Sequence, residues 1–194
     1  MSGTLISPRH MIAVALVVAI GGIFAWRELR SVDHGPATVL EQSEAALRVE
    51  VGEPVPDFRL DTPDGAELRL SDFRGQAVVL NFWATWCAPC RAEMPDLQAL
   101  HDEHAATGDL TVVAIDLQES GDSVTSFAEE LELTFPLALD RSGDVAERYG
   151  LIGLPGTFFI DVDGILRARA LGQLSGDLLP DGVSAALAST APNR

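Results

Sequence analysis

Cys87 and Cys90 are the only two cysteines in a chain of 194 residues. A bridge between residues three apart closes a tiny loop and restrains the unfolded chain little, so the pair is a poor structural staple. The spacing calls instead for redox exchange or metal binding. The pair sits in Trp86-Cys87-Ala88-Pro89-Cys90, after the apolar run AVVLNFW at 77–83 and at the opening of a helical pattern. A cysteine in the first turn of a helix faces unpaired backbone N–H groups and the positive end of the helix dipole. Both favour thiolate over thiol, so Cys87 is expected to titrate below the ~8.5 of free cysteine. A thiolate attacks a disulfide sulfur, and Cys90, one turn deeper, would then resolve the mixed disulfide. Pro89 has no N–H to leave unpaired and suits an early helical position.

Metal binding is the competing chemistry. His101 and His104 follow downstream and complete a C-x2-C-x10-H-x2-H pattern. Both the Cys-to-His and the His-to-His spacings miss the usual zinc ranges. On a continuous helix His101 also lies roughly 16 Å from Cys90, too far to converge with it. Both histidines therefore read as solvated surface residues, and no metal is assigned.

The elements that position the cysteines follow from hydrophobic periodicity. Phe58–Leu60 and Glu67–Leu70 flank Thr62-Pro63-Asp64-Gly65, a hairpin signature. Residues 77–83 and 110–117 (LTVVAIDL) are continuous apolar runs of strand length, expected for buried central strands. A helix is expected over 88–107, interrupted by Pro95, and an amphipathic one over 123–131, with Val124, Phe127, Ala128 and Leu131 on one face. Residues 135–139 read as a short strand and 144–149 as a brief helix. Strands at 157–160 and 165–170 surround a second hairpin turn, and a helix over 175–188 closes the pattern. This order gives an α/β fold: a central mixed sheet flanked by helices, with a parallel pair joined by a crossover and antiparallel edges.

The N-terminal region has its own character. Residues 1–10 are a short tail, and residues 11–26 (MIAVALVVAIGGIFAW) carry no charge. As a helix these sixteen residues span roughly 24 Å, slightly less than a ~30 Å hydrocarbon core. A membrane anchor, a cleaved signal segment and a buried helix compete. No A-x-A site follows, although Ala19 and Gly21 would serve a lenient peptidase, and a buried helix fits poorly ahead of a complete domain. An uncleaved anchor is the favoured reading, and either an anchor or a signal sends the remainder out of the cytoplasm. Flanking charges are too balanced to fix orientation. Residues 27–50 read as a spacer and 51–190 as the folded domain.

Composition excludes other classes. The net charge is −16, with 47% hydrophobic and 22% charged residues. Such a chain folds, and its acidity repels the phosphate backbones of nucleic acids. All 13 basic residues are arginine, from which no function follows.

The segment NFWATWCAPCRAEMP resembles the active-site segment of the thioredoxin superfamily. More narrowly, it resembles the membrane-anchored, extracytoplasmic TlpA/ResA-like branch that includes reductases of cytochrome c maturation. The likeness runs from about Val51 to Ala188 and takes in VGEPVPDFRL, LSDFRGQAVVLNFWATWCAPC, TFPLALDRSGDVAERYGLIGLPGTFFID and DVDG.

The resemblance implies a thioredoxin-like fold with a redox-active Cys87–Cys90 disulfide, Cys87 exposed and nucleophilic and Cys90 resolving. It aligns Pro155 with the cis-proline that lies against the disulfide and helps hold substrate backbone. It matches Glu93 to an acid that tunes the thiols or relays protons; the alternative is a solvated helix-surface Glu. Ala88 and Pro89 shape the dithiol loop. Trp86 is expected to shield the site and Trp83 to lie in the core. Pro95 falls where relatives kink this helix. Asn81 replaces a buried Asp of cytoplasmic thioredoxins and cannot accept a proton, and Gly156 replaces a Thr, which is expected to loosen the loop beside the disulfide.

The implied partners are disulfides of secreted or periplasmic proteins, apocytochrome c among them, and a membrane thiol-disulfide electron donor; no cofactor is implied beyond the dithiol. An oxidant that forms disulfides and a copper- or zinc-binding module are the alternatives. Copper chaperones on this fold separate their cysteines by three residues rather than two. A thiol peroxidase would need a Pro-x-x-x-Thr-x-x-Cys segment, and the sequence has none.

Overall fold

A run with no polar face has nowhere to go but the interior, and all seven residues of the first such run are buried. It forms strand β3, Ala77–Trp83. The structure, a computed structural model, describes residues 49–188. Ahead of β3 lie β1 (Arg59–Asp61), β2 (Glu67–Arg69) and a 3-10 turn, Leu70–Phe73. After it come α1 (Ala88–His104), β4 (Leu110–Leu117), α2 (Gly121–Glu130), β5 (Leu137–Asp140), α3 (Asp144–Arg148), β6 (Gly156–Ile160), β7 (Leu166–Leu171) and α4 (Leu178–Ala188). The expected membrane segment at 11–26 lies outside the described residues. Among the described residues no helix is long and apolar enough to cross a membrane.

The strands make one seven-stranded sheet in the order β2-β1-β5-β4-β3-β6-β7. β3, β4 and β5 run parallel, joined by crossovers through α1 and α2. β6 pairs antiparallel with β3, and β7 with β6. β1 and β2 pair antiparallel and extend the opposite edge through Asp61 and Leu139.

Alternation along a strand sorts side chains to opposite faces. On one face Leu80 and Phe82 of β3 pack with Val113, Ile115, Tyr149 and Phe158. On the other, Val79 and Trp83 pack with Met94, Leu97, Phe127, Phe159 and both cysteines. The same alternation puts Asn81, Asp116 and Thr157 on the second side, and all three are fully buried. Trp83 is in the core, its ring centroid 4.7 Å from that of Phe127. Tyr149 anchors the first layer, donating its hydroxyl to the Pro56 carbonyl at 2.8 Å.

Several details differ from the sequence expectation. α1 is not interrupted at Pro95 but runs unbroken from Ala88 to His104. Pro95 is exposed, so the backbone carbonyl it leaves without an N–H partner is on the side nearest water. The last helix begins at Leu178 rather than at residue 175. His101 is not a solvated residue: its ring is half-buried edge-on against Phe135, and its Nδ1 has no partner among the described residues. Burial holds its pKa below the ordinary histidine value, against the opposing charge of Asp102. His104 is tied through Nδ1 to Asp109 at 2.9 Å. Both histidines serve the packing and end of α1.

Candidate active site

β3 ends at Trp83 inside the core, and the chain must turn at once to enter α1. That turn, residues 84–87, delivers Cys87 to the N-cap of α1 with extended backbone angles (φ −81°, ψ 101°). An N-cap side chain accepts a hydrogen bond from one of the unpaired N–H groups of the first turn. Here the acceptor is sulfur: Cys87 Sγ receives the backbone N–H of Cys90 at 3.3 Å. Ala88 and Pro89 fill the first two helical positions, Ala88 exposed and Pro89 half-buried. Cys87 and Cys90 are joined in a disulfide. Cys87 is not openly exposed as expected but only 5% exposed, and Cys90 not at all, so Cys87 is the sulfur an incoming group can reach first.

Beside the pair, Trp86 is 71% exposed. It does not fold down as a shield but presents its ring to solvent. Pro155 is buried, and the Leu154–Pro155 peptide is cis. Gly156 is not part of a loosened loop: it is buried at the start of β6, paired with Phe82 and Leu171. A Cβ on Gly156 would come within 2.2 Å of Leu151 Cδ1, so Leu151 already fills the space a larger residue would need.

Below the disulfide is a small polar network. Glu93, on the buried face of α1, is 1% exposed and so is not a solvated surface residue. Its Oε1 accepts from Asn81 Nδ2 at 2.8 Å and its Oε2 from the Leu174 backbone N–H at 3.0 Å. Asn81 Nδ2 also donates to the Thr157 hydroxyl at 3.0 Å, while Asn81 Oδ1 is buried without a partner. Burial pushes the Glu93 pKa above the ordinary glutamate value, against the hydrogen bonds from Leu174 and Asn81. A buried acid whose protonated form is favoured in this way is a candidate for proton transfer.

A second group of residues escaped the sequence reading. Glu119 grips the turn that carries Cys87: Oε2 accepts the Thr85 backbone N–H at 2.6 Å and Oε1 accepts the Thr85 hydroxyl at 2.7 Å. Behind it, Asp116 is fully buried and its Oδ1 accepts the Glu119 backbone N–H at 3.2 Å. Burial first, then hydrogen bonding to Glu119 and the charge of Glu119, push the Asp116 pKa up to about 8. Burial would also raise Glu119, but the Thr85 hydroxyl, Asp116 and the Thr85 N–H outweigh it and hold Glu119 below the ordinary range. The signal was present in the sequence: an acid inside the apolar run LTVVAIDL, on the face that alternation turns toward α1.

A cleft of ≈ 520 Å³ lined by Pro63, Leu68, Ala128, Leu133, Phe135 and Leu137 includes neither cysteine. Among the described residues no cluster of three His, Cys, Asp or Glu side chains is arranged to hold a metal ion.

Residues 51–169 match the AhpC/TSA family. The thiol-disulfide oxidoreductase ResA of Bacillus thuringiensis is 35% identical over 134 residues, which cover 69% of this chain and 77% of that protein. Among solved structures, a Chlorobium tepidum protein assigned as the thiol:disulfide interchange protein DsbE superposes with a TM-score of 0.66 at 33% identity, over 72% of this chain and 99% of the other. A secreted thiol-disulfide isomerase from Corynebacterium glutamicum gives 0.61 at 32%, over 69% and 83%. A dithiol at a helix N-cap, carried on this sheet and shared with such relatives, makes the chain a member of the AhpC/TSA family and a thioredoxin-fold thiol-disulfide oxidoreductase.

Proposed function

We propose that the protein is a reductase of disulfides in secreted or periplasmic proteins, apocytochrome c among them. The observation that carries this reading is the place of Cys87 Sγ, at the N-cap of α1 and accepting the Cys90 N–H at 3.3 Å. The same backbone donor and helix dipole would stabilise a thiolate once the bridge is reduced. The secreted relative from Corynebacterium glutamicum supports an extracytoplasmic location, with residues 11–26 as the tether.

In the proposed cycle the Cys87 thiolate attacks one sulfur of a substrate disulfide. A Cys87–substrate bond forms, the substrate S–S bond breaks, and the other substrate sulfur leaves as a thiolate. Cys90, giving its proton to the substrate thiolate just released, then attacks Cys87 Sγ. The Cys87–Cys90 bond forms and the second substrate sulfur leaves. Two electrons pass to the substrate, and a membrane thiol-disulfide carrier returns two to the enzyme. Trp86 offers the partner an exposed aromatic surface, and Pro155 takes the substrate backbone alongside.

Two variants test this. Cys87→Ser should abolish insulin reduction, and Cys90→Ser should accumulate a covalent complex with the natural partner that dithiothreitol releases. Full insulin reduction by Cys87→Ser would overturn the mechanism. A reduction potential near about −270 mV fits a reductant, whereas one near about −120 mV would reverse the proposed direction.

A further inference from the structure

We infer that Asp116 is a positioning residue for Cys87, acting through Glu119 as a proton-dependent catch on the turn that carries the nucleophile. This rests on the proposed role of Cys87 as nucleophile.

The geometry is a chain of contacts running from the sheet to the site. Asp116 lies on β4 opposite Trp83, the last residue of β3. Its Oδ1 accepts the Glu119 N–H, which fixes the turn after β4. That turn aims the Glu119 carboxylate at Thr85, where each oxygen takes one hydrogen, from the backbone N–H and from the hydroxyl. Thr85 is two residues before Cys87, and between them stands the exposed Trp86. Holding the Thr85 N–H therefore sets the path of the backbone that presents both the aromatic ring and the sulfur.

The remaining oxygen of Asp116 makes the catch proton-dependent. Oδ2 is buried and has no hydrogen-bond partner among the described residues. A buried carboxylate oxygen with no donor is tolerated only when the group is protonated, since an unpaired charge in the core is far more costly than a neutral acid. The charged groups acting on Asp116 are Glu119, from the turn after β4, and Arg141, from the turn after β5. The other elements on this side present Trp83 from β3, Met94 and Leu97 from α1, and Val124 and Phe127 from α2, while Glu93 of α1 is engaged by Asn81. Among the described residues Trp83 Nε1 is itself buried without a partner, and none of these side chains donates to Oδ2. If Asp116 loses its proton, two carboxylates face each other, and the one free to move is Glu119, which is the more exposed. Its movement releases Thr85.

The test uses the full chain, reduced, with insulin as the protein substrate and iodoacetamide as a small probe of Cys87. Insulin reduction is compared between wild type and Asp116→Asn, which keeps shape and cannot ionise. The ratio of wild-type to Asp116→Asn rate should be flat in mild acid and fall as pH rises through about 8. Glu119→Ala should lower kcat/KM for insulin by about tenfold while iodoacetamide alkylation changes by less than about threefold, and Glu119→Gln, which can still accept from Thr85, should recover most of the loss. Should Glu119→Ala fail to fold, Thr85→Ala deletes one of the two contacts and should show a smaller loss in the same direction. A ratio that stays level across that pH range, or Glu119→Ala and Thr85→Ala both within about twofold of wild type, would overturn the catch. If Cys87→Ser is inactive while these variants match wild type, the catch fails and the proposed nucleophile stands; if Cys87→Ser is active, the nucleophile itself fails.

Discussion

Asp116→Asn should make the protein more stable at neutral pH, and the size of the gain follows from where the proton resides. In the unfolded chain Asp116 titrates near its ordinary value of 3.8, and in the fold near about 8. The folded state therefore holds a proton that the unfolded state releases. The stability associated with Asp116 is fully present below 3.8 and is lost as pH rises through about 8. Each unit between those limits costs about 1.4 kcal/mol, so protonating this group at pH 7 costs about 4 kcal/mol. An Asn side chain has no such cost and its oxygen can still accept the Glu119 N–H. After allowing for imperfect replacement of the acid's contacts, a gain of about 2–4 kcal/mol at pH 7 is expected. Urea unfolding of the oxidised protein, followed by far-ultraviolet circular dichroism between pH 5 and 8, is the assay. Other acids, Glu93 included, titrate in both proteins, so the difference between the two curves isolates Asp116. That difference should widen by about 1.4 kcal/mol per pH unit. Parallel curves would mean that Asp116 is ionised in the fold, and the account of its burial would be wrong.

Two packing predictions accompany it. Gly156→Thr should destabilise the fold by about 1–3 kcal/mol, because its Cβ would enter the space of Leu151 Cδ1, and adding Leu151→Ala should recover much of the loss in a double-mutant cycle of urea midpoints. Gly182→Ala places a methyl 2.4 Å from the Phe159 ring, so it should lower stability by about 1–3 kcal/mol despite the better helix propensity of Ala, and a raised midpoint would contradict the packing of α4 on β6.

The elements that carry the cysteines were legible because their signals are local. β3 and β4 occupy the two apolar runs, Ala77–Trp83 and Leu110–Leu117, with the expected bounds. The start of α1 was legible from Pro89 and the dithiol, since both belong in a first helical turn. What escaped depends on tertiary neighbours. Pro95 was expected to interrupt α1, yet on an exposed face its cost is a single missing hydrogen bond, which packing of the opposite face outweighs. Glu93 could be placed on a helix but not at a depth, because depth depends on Asn81 and on Leu174, which arrives 81 positions later. Gly156 seemed to loosen a loop only because Leu151, five residues earlier, could not be seen filling its place.

The polar residues buried on the α1 side of the sheet answer a problem posed by the charge of the whole chain. A protein with a net charge of −16 opposes the formation of one more negative charge. At physiological salt that opposition is screened beyond about 8 Å for solvent-exposed groups, but buried acids are screened much less. Were Glu93 and Asp116 ionised, they would oppose the proposed thiolate from within the same layer. Both are instead pushed toward the neutral form, chiefly by burial. The ionised acid nearest the turn, Glu119, has each oxygen taken up by Thr85. The Cys90 N–H, in the first turn of α1, then acts on Cys87 Sγ at hydrogen-bond distance, too short a range for salt to screen. Keeping Asp116 neutral is thus a local condition for a thiolate on an acidic protein, and replacing it with a residue that is anionic in the fold should weaken the nucleophile even with every contact to sulfur intact.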